Sequence, residues 1–576
     1  MTPIFTDTGS CIFRVWAPLH SAMTLCMHEP ASELPMRKDQ HGYFTLELPD
    51  VKAGLLYRYR PGASGTPLAD PASAFQPEGI EGPSQLYDHR SYSWQDGNWR
   101  SLPIEDLIFY EIHVGAFTEE GSFDAIIPRL GELAACGINA IELMPVAQCP
   151  GKRNWGYDGV FPYAVQNTYG GPDGLKRLVD ACHGTGISVW LDVVYNHLGM
   201  EGNYLSHFGP YFSDKYHTPW GEALNFDGAY SDGVREYIVS NALYWAEHFH
   251  IDGLRLDAIH EIFDRNAVTI WDCLHDAICD WERTSGRRLG IIAESDLNKP
   301  RLVLPPQQGG CGFDAQWLDD FHHSLYVLLD KEGLKHYGDY GQLAQLAKAY
   351  SEGFVHSGEY VEFRHRSHGA SSAGFPGRHF VIFNQNHDIP GNRPDGKRLA
   401  SIVDLPRLKL AAAAILLSPY IPLLFMGEEY GETAPFFFFS DYADNTVIES
   451  QREGRAKQFA GFGWDTLPPD GQEEESFTRS RLQWDLRQQG PHRELLEWHK
   501  QLITLRRSHP LLRDLSKKYF RADMIGERGI ALRRHSADGK ESLICLLNFS
   551  DRPLECAEIK GDLSPWGVEI LDTRAF

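Results

Sequence analysis

Apolar and polar residues alternate along three segments near the start of the chain, as in half-buried β-strands. These segments span residues 11–18, 42–48 and 55–60, and proline and glycine occupy the gaps between them. Short strands separated by turn-forming residues favour a two-sheet sandwich. We therefore predict an N-terminal immunoglobulin-like β-sandwich over residues 1–95, with a polar, turn-rich linker at residues 88–103.

From residue 107 the pattern changes to short apolar segments that alternate with helical periodicities. Strand-like segments begin at residues 107, 139, 188, 253, 289 and 379. Apolar strands between helices indicate a parallel sheet that is covered on both faces. Their repetition over some 400 residues favours an α/β fold of the (β/α)8 TIM barrel type, with inserted loops, over residues 104–510. The alternative is a doubly wound open sheet, but no dinucleotide-type glycine-rich loop supports it.

Alternation typical of strands returns after the barrel. Residues 529–534 and 542–549 are strand candidates, which predicts a small C-terminal β domain over residues 512–576. The run of four phenylalanines at residues 436–439 is either core or a sugar-facing loop, and we predict core.

The balance of charge narrows the classes of partner. The chain carries 54 Lys and Arg against 78 Asp and Glu, a formal net charge of −24. Nucleic acids and anionic membranes require Lys- and Arg-rich surfaces, so we expect neither partner. A neutral partner such as a sugar is compatible with this charge, although acidity by itself predicts only solubility. The 14 Trp, 25 Tyr and 31 Phe residues include candidates for stacking on sugar rings, while most belong to the core.

Cysteine usage and the start of the chain bear on location. The ten cysteines include no C-x-x-C pair, which predicts reduced thiols. The first residues lack a basic segment followed by an apolar run, and no apolar run reaches the ~18 residues of a membrane span. We therefore expect a cytoplasmic protein.

Acidic residues stand at the ends of four predicted barrel strands: Asp192, Asp257, Glu294 and Asp388. The carboxyl ends of all the strands in a (β/α)8 barrel meet on one face, so these side chains should converge. A lone aspartate in such a place is more often a helix cap, and a lone Arg–Asp pair is often structural. Four such places in register favour a catalytic site.

Two carboxyl groups on neighbouring strands suit glycoside cleavage. One must face the anomeric carbon as an anion, and the other must protonate the leaving oxygen. Asp257 and Glu294 fit these requirements. Arg255 lies two residues before Asp257 and points to the same side of its strand, so its cation should favour the anionic form of Asp257. Glu294 needs a raised pKa, and Asp388 would hold substrate hydroxyls.

Five short segments carry a resemblance to a known family. Residues 154–158, 192–197, 253–258, 293–294 and 386–388 resemble the motifs of the α-amylase superfamily, in their usual order. The resemblance implies that Asp257 is the nucleophile, Glu294 the acid/base and Asp388 the transition-state stabiliser. It also implies that Tyr157, His197, Arg255 and His387 line the subsite of the scissile glucose. The full set of expected substrate-binding residues is Trp155, Tyr157, Asp158, Asp192, His197, Arg255, Leu256, Ala258, Ile259, His260, Glu261, Asp319, Asp320, Phe321, His322, His323, His387, Ile389, Pro390, Gly391, Asn392 and Arg393.

Longer segments resemble one branch of that superfamily, the maltooligosyltrehalose trehalohydrolases. They span residues 110–118, 142–146, 154–160, 219–227, 314–323 and 422–431. This resemblance implies hydrolysis of the α-1,4 bond next to a terminal trehalose unit, after a partner isomerase has formed maltooligosyltrehalose. It also implies that residues 319–323 contact sugar on the product side, where two acids, an aromatic ring and two imidazoles suit hydroxyl groups. The alternative for that block is a capped helix start.

Two departures from the family pattern stand near the site. Ile389 and Pro390 replace the usual Gln-Val after the third carboxylate, and Ser295 stands where asparagine is common. Proline lacks an N–H and stiffens the loop, so we expect a modest change in loop contacts or affinity with activity retained.

Other activities remain open from sequence. A glycogen-branching glucanotransferase or another amylase-type α-glucan hydrolase would share the motifs, and a non-catalytic amylase-like binding protein would be expected to lose carboxylates. Asn196 stands where some amylases bind calcium, but no further ligands can be traced. We therefore predict no metal and no cofactor.

Overall fold

Two four-stranded antiparallel sheets form the N-terminal part of the protein. The computed structural model describes residues 1–28, 31–330 and 337–575. The sheet orders are β1-β2-β6-β5 and β4-β3-β7-β8, built from β1 Ile4–Phe5, β2 Ser10–Trp16, β3 Met23–His28, β4 Ala31–Pro35, β5 Arg37–Lys38, β6 Tyr43–Pro49, β7 Leu56–Pro61 and β8 Ser84–Gln85. Aromatic residues fill the space between the sheets, with the rings of Phe13 and Tyr57 edge to face at 5.3 Å.

The next strands in the chain are β9 Phe109–Ile112, β10 Ala140–Leu143, β11 Ala147–Gln148, β12 Phe161–Val165, β13 Ser188–Val193, β14 Phe212–Thr218, β15 Gly221–Leu224, β16 Gly253–Leu256, β17 Gly290–Ala293, β18 Ala315–Trp317, β19 Tyr360–Val361, β20 Arg366–Ser367, β21 Phe380–Phe383 and β22 Ile421–Phe425. Eight of them close into a parallel barrel in the order β9-β10-β13-β16-β17-β18-β21-β22. The predicted (β/α)8 barrel is therefore confirmed. The six others form short hairpins in the inserted loops.

Sequence reasoning missed two barrel strands, and both omissions have a physical cause. Strand β18 has only three residues, too few to show a period. Strand β22 follows a wholly buried helical segment closely, so the two merge into one apolar run.

The helices of the described chain are α1 Val114–Phe117, α2 Phe123–Ile126, α3 Leu130–Cys136, α4 Gly171–Thr185, α5 Ser231–Phe249, α6 Ile270–Ser285, α7 Asp319–Leu329, α8 Leu343–Glu352, α9 Asp388–Gly391, α10 Leu405–Leu416, α11 Asn445–Gly461, α12 Glu474–Thr478, α13 Gly490–Ser508 and α14 Pro510–Arg513. The segment 123–136 has the apolar spacing of a single helix, but a tighter turn over Ile127–Arg129 divides it. Pro128 lies in that turn and cannot donate a helical hydrogen bond, which explains the division.

A C-terminal sheet packs against the barrel helices. Its strands are β23 Phe520–Ile525, β24 Gly529–His535, β25 Ser542–Asn548, β26 Leu554–Glu555, β27 Asp562–Leu563 and β28 Val568–Asp572. The order is β23-β24-β25-β28, with β26 and β27 paired separately. Arg534 reaches from β24 to the Leu417 carbonyl at 2.7 Å, so a buried cation joins this sheet to the end of α10.

The linker before the barrel contributes to a buried charged cluster at the amino ends of the strands. His183 lies between two carboxylates, with Nδ1 2.8 Å from Asp96 and Nε2 3.0 Å from Asp252. Trp99 donates to Asp252 at 2.8 Å and stacks on the His183 ring. Burial lowers the pKa of His183, but hydrogen bonds and charge from both carboxylates outweigh it and raise the pKa overall. The linker residues Asp96 and Trp99 therefore contact the amino ends of the barrel strands. The division of the chain into three domains stays a prediction.

Candidate active site

The two central carboxyl groups leave adjacent barrel strands at the same end. Asp257 follows β16 directly and Glu294 follows β17 directly, and the two strands pair from Gly253↔Gly290 to Leu256↔Ala293. Each side chain therefore lies on the face where the carboxyl ends of the strands meet.

One guanidinium binds three carboxyl groups beneath this face. Arg255 points into the barrel and contacts Asp257 Oδ1 at 2.7 Å, both oxygens of Asp192 at 2.9 Å and Glu294 Oε2 at 3.1 Å. Its side chain is only 1% exposed, and its guanidinium carbon lies 4.2 Å from the centre of the Trp317 ring. A fixed, buried cation of this kind holds the three carboxyl groups together and offsets their mutual repulsion.

A second donor orients Asp257. Asn196 Nδ2 donates to Asp257 Oδ2 at 2.8 Å and to its carbonyl at 3.0 Å, while the other amide atom contacts His197. The His197 ring stacks on Trp220 with centroids 5.3 Å apart. Trp220 lies between β14 and β15 and is 48% exposed, so it presents an open aromatic face beside the cleft.

The backbone N–H of Ala258 donates to Glu294 Oε2 at 2.6 Å. Ala258 has a φ of +38°, a left-handed conformation that alanine rarely adopts and that the surrounding fold must support. Burial raises the pKa of Glu294 above its usual range; the Arg255 cation opposes this shift, and the charges of Asp257 and Asp388 add to it. A raised pKa suits a general acid, because the group must carry a proton when the leaving oxygen departs.

Across the cleft, His387 is held as a cation. Its Nδ1 lies 2.6 Å from Glu111 and its Nε2 lies 2.9 Å from the hydroxyl of Tyr157, which also donates to Asp192 at 2.7 Å. Burial lowers the pKa of His387, but the charges of Asp388 and Glu111 outweigh it and raise the pKa to about 9.

Asp388 begins the single-turn helix α9 and keeps 42% of its side chain exposed. The following residues, Ile389, Pro390 and Gly391, are buried. A side chain at Gly391 would lie 2.0 Å from the Trp155 ring, so this position requires glycine. Pro390 lies within the first turn of the helix, where its missing N–H removes no intrahelical bond.

The block 319–323 divides between the cleft and the core. Asp319 starts α7, and burial together with the charge of Glu294 raises the pKa of Asp319 well above its usual range. The Asp320 carboxylate is 4% exposed and accepts bonds from Asn298, Tyr340 and the backbone of residues 355 and 356. The structure therefore gives Asp320 a bracing role in place of the expected sugar contact.

The rest of that block also packs inward. Phe321 is fully buried, with its ring edge to face against Tyr350 at 5.0 Å. His322 is fully buried too, with Nδ1 2.8 Å from the Asn384 carbonyl. His323 is half-buried and stacks on Tyr337 at 3.9 Å. The expectation that all five residues contact sugar is therefore corrected for the three buried ones, Asp320, Phe321 and His322.

The remaining expected residues fall into two groups. Four buried residues form the wall behind the site: Trp155, Leu256, Ala258 and Ile259. The partly exposed residues are Asp158, His260, Glu261, Asn392 and Arg393. Within this second group, Arg393 forms ion pairs with Asp330 and Asp395.

Several residues of the site had no signal in the short motifs. Glu111 and Trp317 come from β9 and β18 and meet His387 and Arg255 only in the closed barrel. Trp220 lies in the segment 219–227, and its sequence alone does not show that the ring is exposed. Arg455, on α11, contacts the end of α9.

None of the described helices is long and apolar enough to cross a bilayer.

The chain is similar in sequence to known carbohydrate-active enzymes. Residues 85–217 match the family model for the alpha-amylase catalytic domain. The chain is 44% identical to the malto-oligosyltrehalose trehalohydrolase of Saccharolobus solfataricus, over 88% of this chain and 86% of that protein. It is 42% identical to the trehalohydrolase of Arthrobacter ramosus, over 87% of each. A 1,4-alpha-glucan branching enzyme of Vibrio cholerae is 31% identical over 60% of this chain and 52% of that protein.

Solved structures agree on the architecture. A Salmonella typhimurium protein assigned as an alpha amylase superposes with a TM-score of 0.91 at 35% identity, covering 99% of both chains. A pullulanase from Anoxybacillus sp. LM18-11 gives a TM-score of 0.73 at 18% identity, covering 99% of this chain and 87% of the other, a likeness in fold. With the identities of 44% and 42% to the two trehalohydrolases over most of the chain, these findings show that the chain belongs to the malto-oligosyltrehalose trehalohydrolase family of the α-amylase superfamily.

Proposed function

We propose that this protein is a retaining glycoside hydrolase that cleaves the α-1,4-glucosidic bond next to the terminal trehalose unit of maltooligosyltrehalose, releasing trehalose and a shorter glucan. The observation that carries the chemistry is the contact of one guanidinium, Arg255, with both Asp257 and Glu294. Sharing one cation makes the two carboxyl groups close neighbours. Retaining enzymes need a separation of about 5 Å, whereas inverting enzymes need about 6.5–9.5 Å. The substrate is supported by the two malto-oligosyltrehalose trehalohydrolases that match most of the chain.

In the first step, Asp257 attacks the anomeric carbon of the glucose in the cleft. The bond from that carbon to the trehalose oxygen breaks, and the proton of Glu294 passes to this oxygen, so trehalose leaves as a neutral molecule. The glucan is then held as an ester of Asp257. Arg255 and Asn196 orient the attacking carboxylate before the reaction, which lowers the entropic part of the barrier.

In the second step, the ionised Glu294 takes a proton from water as the water attacks the same carbon. The ester bond breaks, Asp257 is regenerated and Glu294 is protonated again. Two inversions give a glucan with the original α-configuration. In this scheme Asp388 and the His387 cation bind hydroxyls of the distorted sugar, and Asp192 accepts the Tyr157 hydroxyl that positions the ring.

The substrate requires a preceding reaction. Maltooligosyltrehalose carries an α,α-1,1 link at what was the reducing end of a glucan, so an isomerase that converts an α-1,4 link to this form must act first. We place both reactions in the cytoplasm, where ten free cysteines are compatible with reducing conditions. The excess of acidic residues supports a neutral sugar, with neither nucleic acid nor membrane as partner.

Product analysis tests the substrate assignment. Incubation with maltooligosyltrehalose should release free trehalose, and the glucan product should appear first as the α-anomer, measured by chromatography and NMR. Amylose incubated in parallel should gain no α-1,6 branch points. New branch points with no trehalose release would contradict hydrolysis and support the activity of a branching enzyme such as the Vibrio cholerae relative.

Trp220 supplies a test of sugar binding outside the motifs. Trp220→Ala should raise KM about five- to tenfold, because loss of one aromatic contact costs ~1 kcal/mol. The KM of Trp220→Phe should fall between those of Trp220→Ala and wild type. In both variants kcat and Tm should change little, because the side chain is half-exposed. An unchanged KM in Trp220→Ala would contradict contact between this ring and the substrate.

A further inference from the structure

Helix α11 lies outside every motif of the barrel, yet it reaches the helix that carries Asp388. Arg455 Nη2 donates to the Gly391 carbonyl at 2.8 Å, and Nη1 donates to Asn392 Oδ1 at 3.1 Å. Gly391 is the last residue of α9, and Asn392 follows it. One guanidinium therefore bridges two acceptors at the carboxyl end of a single-turn helix, where carbonyl groups lack intrahelical partners.

The Arg455 side chain is held rigidly. Its guanidinium carbon lies 4.8 Å from the centres of both the Phe438 and Phe459 rings, and Nη1 also donates to Gln458 at 2.9 Å. Burial lowers the pKa of Arg455 to about 10, so the group stays a cation at neutral pH. A planar cation between two aromatic rings has little conformational freedom, so its hydrogen-bond donors keep a fixed position.

Arg455 also fixes which way the Asn392 amide faces. A guanidinium has donors only, so the atom of Asn392 that faces it must be the oxygen. The amide nitrogen is then directed to Asp388 Oδ1, 3.4 Å away. Without this constraint the amide is free to rotate and to present its oxygen to the carboxylate, which would be repulsive.

We propose that Arg455 is a positioning residue that acts through Asn392 and the end of α9 to hold Asp388 in its working orientation. This inference rests on the proposed function, in which Asp388 stabilises the transition state. Trp155 also fits closely against Gly391 in α9. Arg455 and Trp155 both contact the end of this turn, whereas Asp388 itself remains partly exposed and able to meet sugar.

The first test replaces Arg455 by methionine, which keeps an apolar stem between the two rings but donates no hydrogen bond. We expect kcat to fall between about 10- and 100-fold, the range for a small displacement of a catalytic group, with KM within about twofold of wild type. Arg455→Lys keeps the charge but lacks the planar fork that bonds both acceptors, so it should give an intermediate kcat. The matched control is Arg452→Met on the same helix, where the arginine binds Glu449 and Asp470, and its kcat should equal that of wild type.

A double-mutant cycle separates positioning from general loss of structure. Asn392→Ala removes one of the two acceptors, so Arg455→Met in that background should lower kcat by a smaller factor than it does in wild type, through the remaining bond to the Gly391 carbonyl. Fully additive losses, or a fall in Tm in Arg455→Met with kcat unchanged, would overturn the proposal.

The same measurement distinguishes this proposal from the substrate assignment. If wild type releases no trehalose but hydrolyses another α-glucan, the proposed substrate fails, and the ratio of kcat values for Arg455→Met and wild type on that glucan still tests Arg455. If trehalose is released and the ratio is one, only the Arg455 proposal fails.

Discussion

Replacement of Glu294 by glutamine should lower kcat on maltooligosyltrehalose by about 10³-fold, within the range for loss of a general acid. Glutamine keeps the shape of the side chain and can still accept the Ala258 N–H bond, but it has no proton to give to the trehalose oxygen. The kcat is measured from trehalose release in a stopped assay, and Tm is measured by calorimetry. Wild-type kcat in this variant would remove Glu294 from the mechanism.

The pH profile gives an independent check on Glu294. The group must be protonated when trehalose leaves, so wild-type activity should fall as pH rises through its pKa, which burial raises. The glutamine variant cannot titrate at this position, so its residual activity should lack that fall. A fall of the same size and position in both would assign the titration to another group.

Glu142 offers a matched control for this variant. It lies on β10 inside the barrel, is 1% exposed, and burial raises its pKa well above the usual range. Glutamine has nearly the shape and volume of glutamate, so Glu142→Gln should leave kcat within about threefold of wild type, as for isosteric changes that remove no transition-state contact. Azide, a nucleophile that needs no general base, should restore turnover of an α-maltosyl fluoride in Glu294→Gln and leave Glu142→Gln unaffected.

Asp257→Ala should abolish measurable hydrolysis, with a loss of at least about 10⁴-fold in kcat, because no covalent intermediate can form. The fold should survive the change. Arg255 keeps its contacts with Asp192 and Glu294, so no buried cation is left without a partner. The measurements are trehalose release and Tm.

Mass spectrometry assigns the nucleophile directly. With α-maltosyl fluoride, Glu294→Gln should accumulate a glycosyl-enzyme whose modified peptide contains Asp257, since fluoride departs without acid catalysis but the ester awaits a general base. The same fluoride should leave Asp257→Ala unmodified. Asp314→Asn is a matched control, since Asp314 is a barrel carboxylate at the opposite end that accepts the Ile291 N–H, and it should alter Tm more than kcat. A sugar ester on another residue would refute the assignment.

The central site was predictable because strand ends in a barrel share one location. A short apolar strand, a carboxylate after it and a two-residue period are all visible in sequence, and they place Asp257, Glu294 and Arg255 together. Side chains whose roles depend on the closed fold were not visible. Glu111 meets His387 across 276 residues of chain, and no local pattern carries such a pairing.

The block 319–323 shows the limit of residue type as evidence. Two acids, an aromatic ring and two imidazoles suit sugar hydroxyls, yet Asp320 is buried and fully used by donors from three other parts of the chain. Which face of a helix looks into a cleft depends on tertiary packing. The helical period of so short a segment cannot supply it.

The buried cluster of Asp96, His183 and Asp252 bears on how this protein can be recombined with others. A graft that began at residue 104 would move the barrel without Asp96, Trp99 and Ser101, and it would leave His183 and Asp252 buried without these three partners. The smallest transplantable unit therefore begins upstream of Asp96. Exchange of N-terminal sheets among relatives should succeed only at junctions placed before that residue.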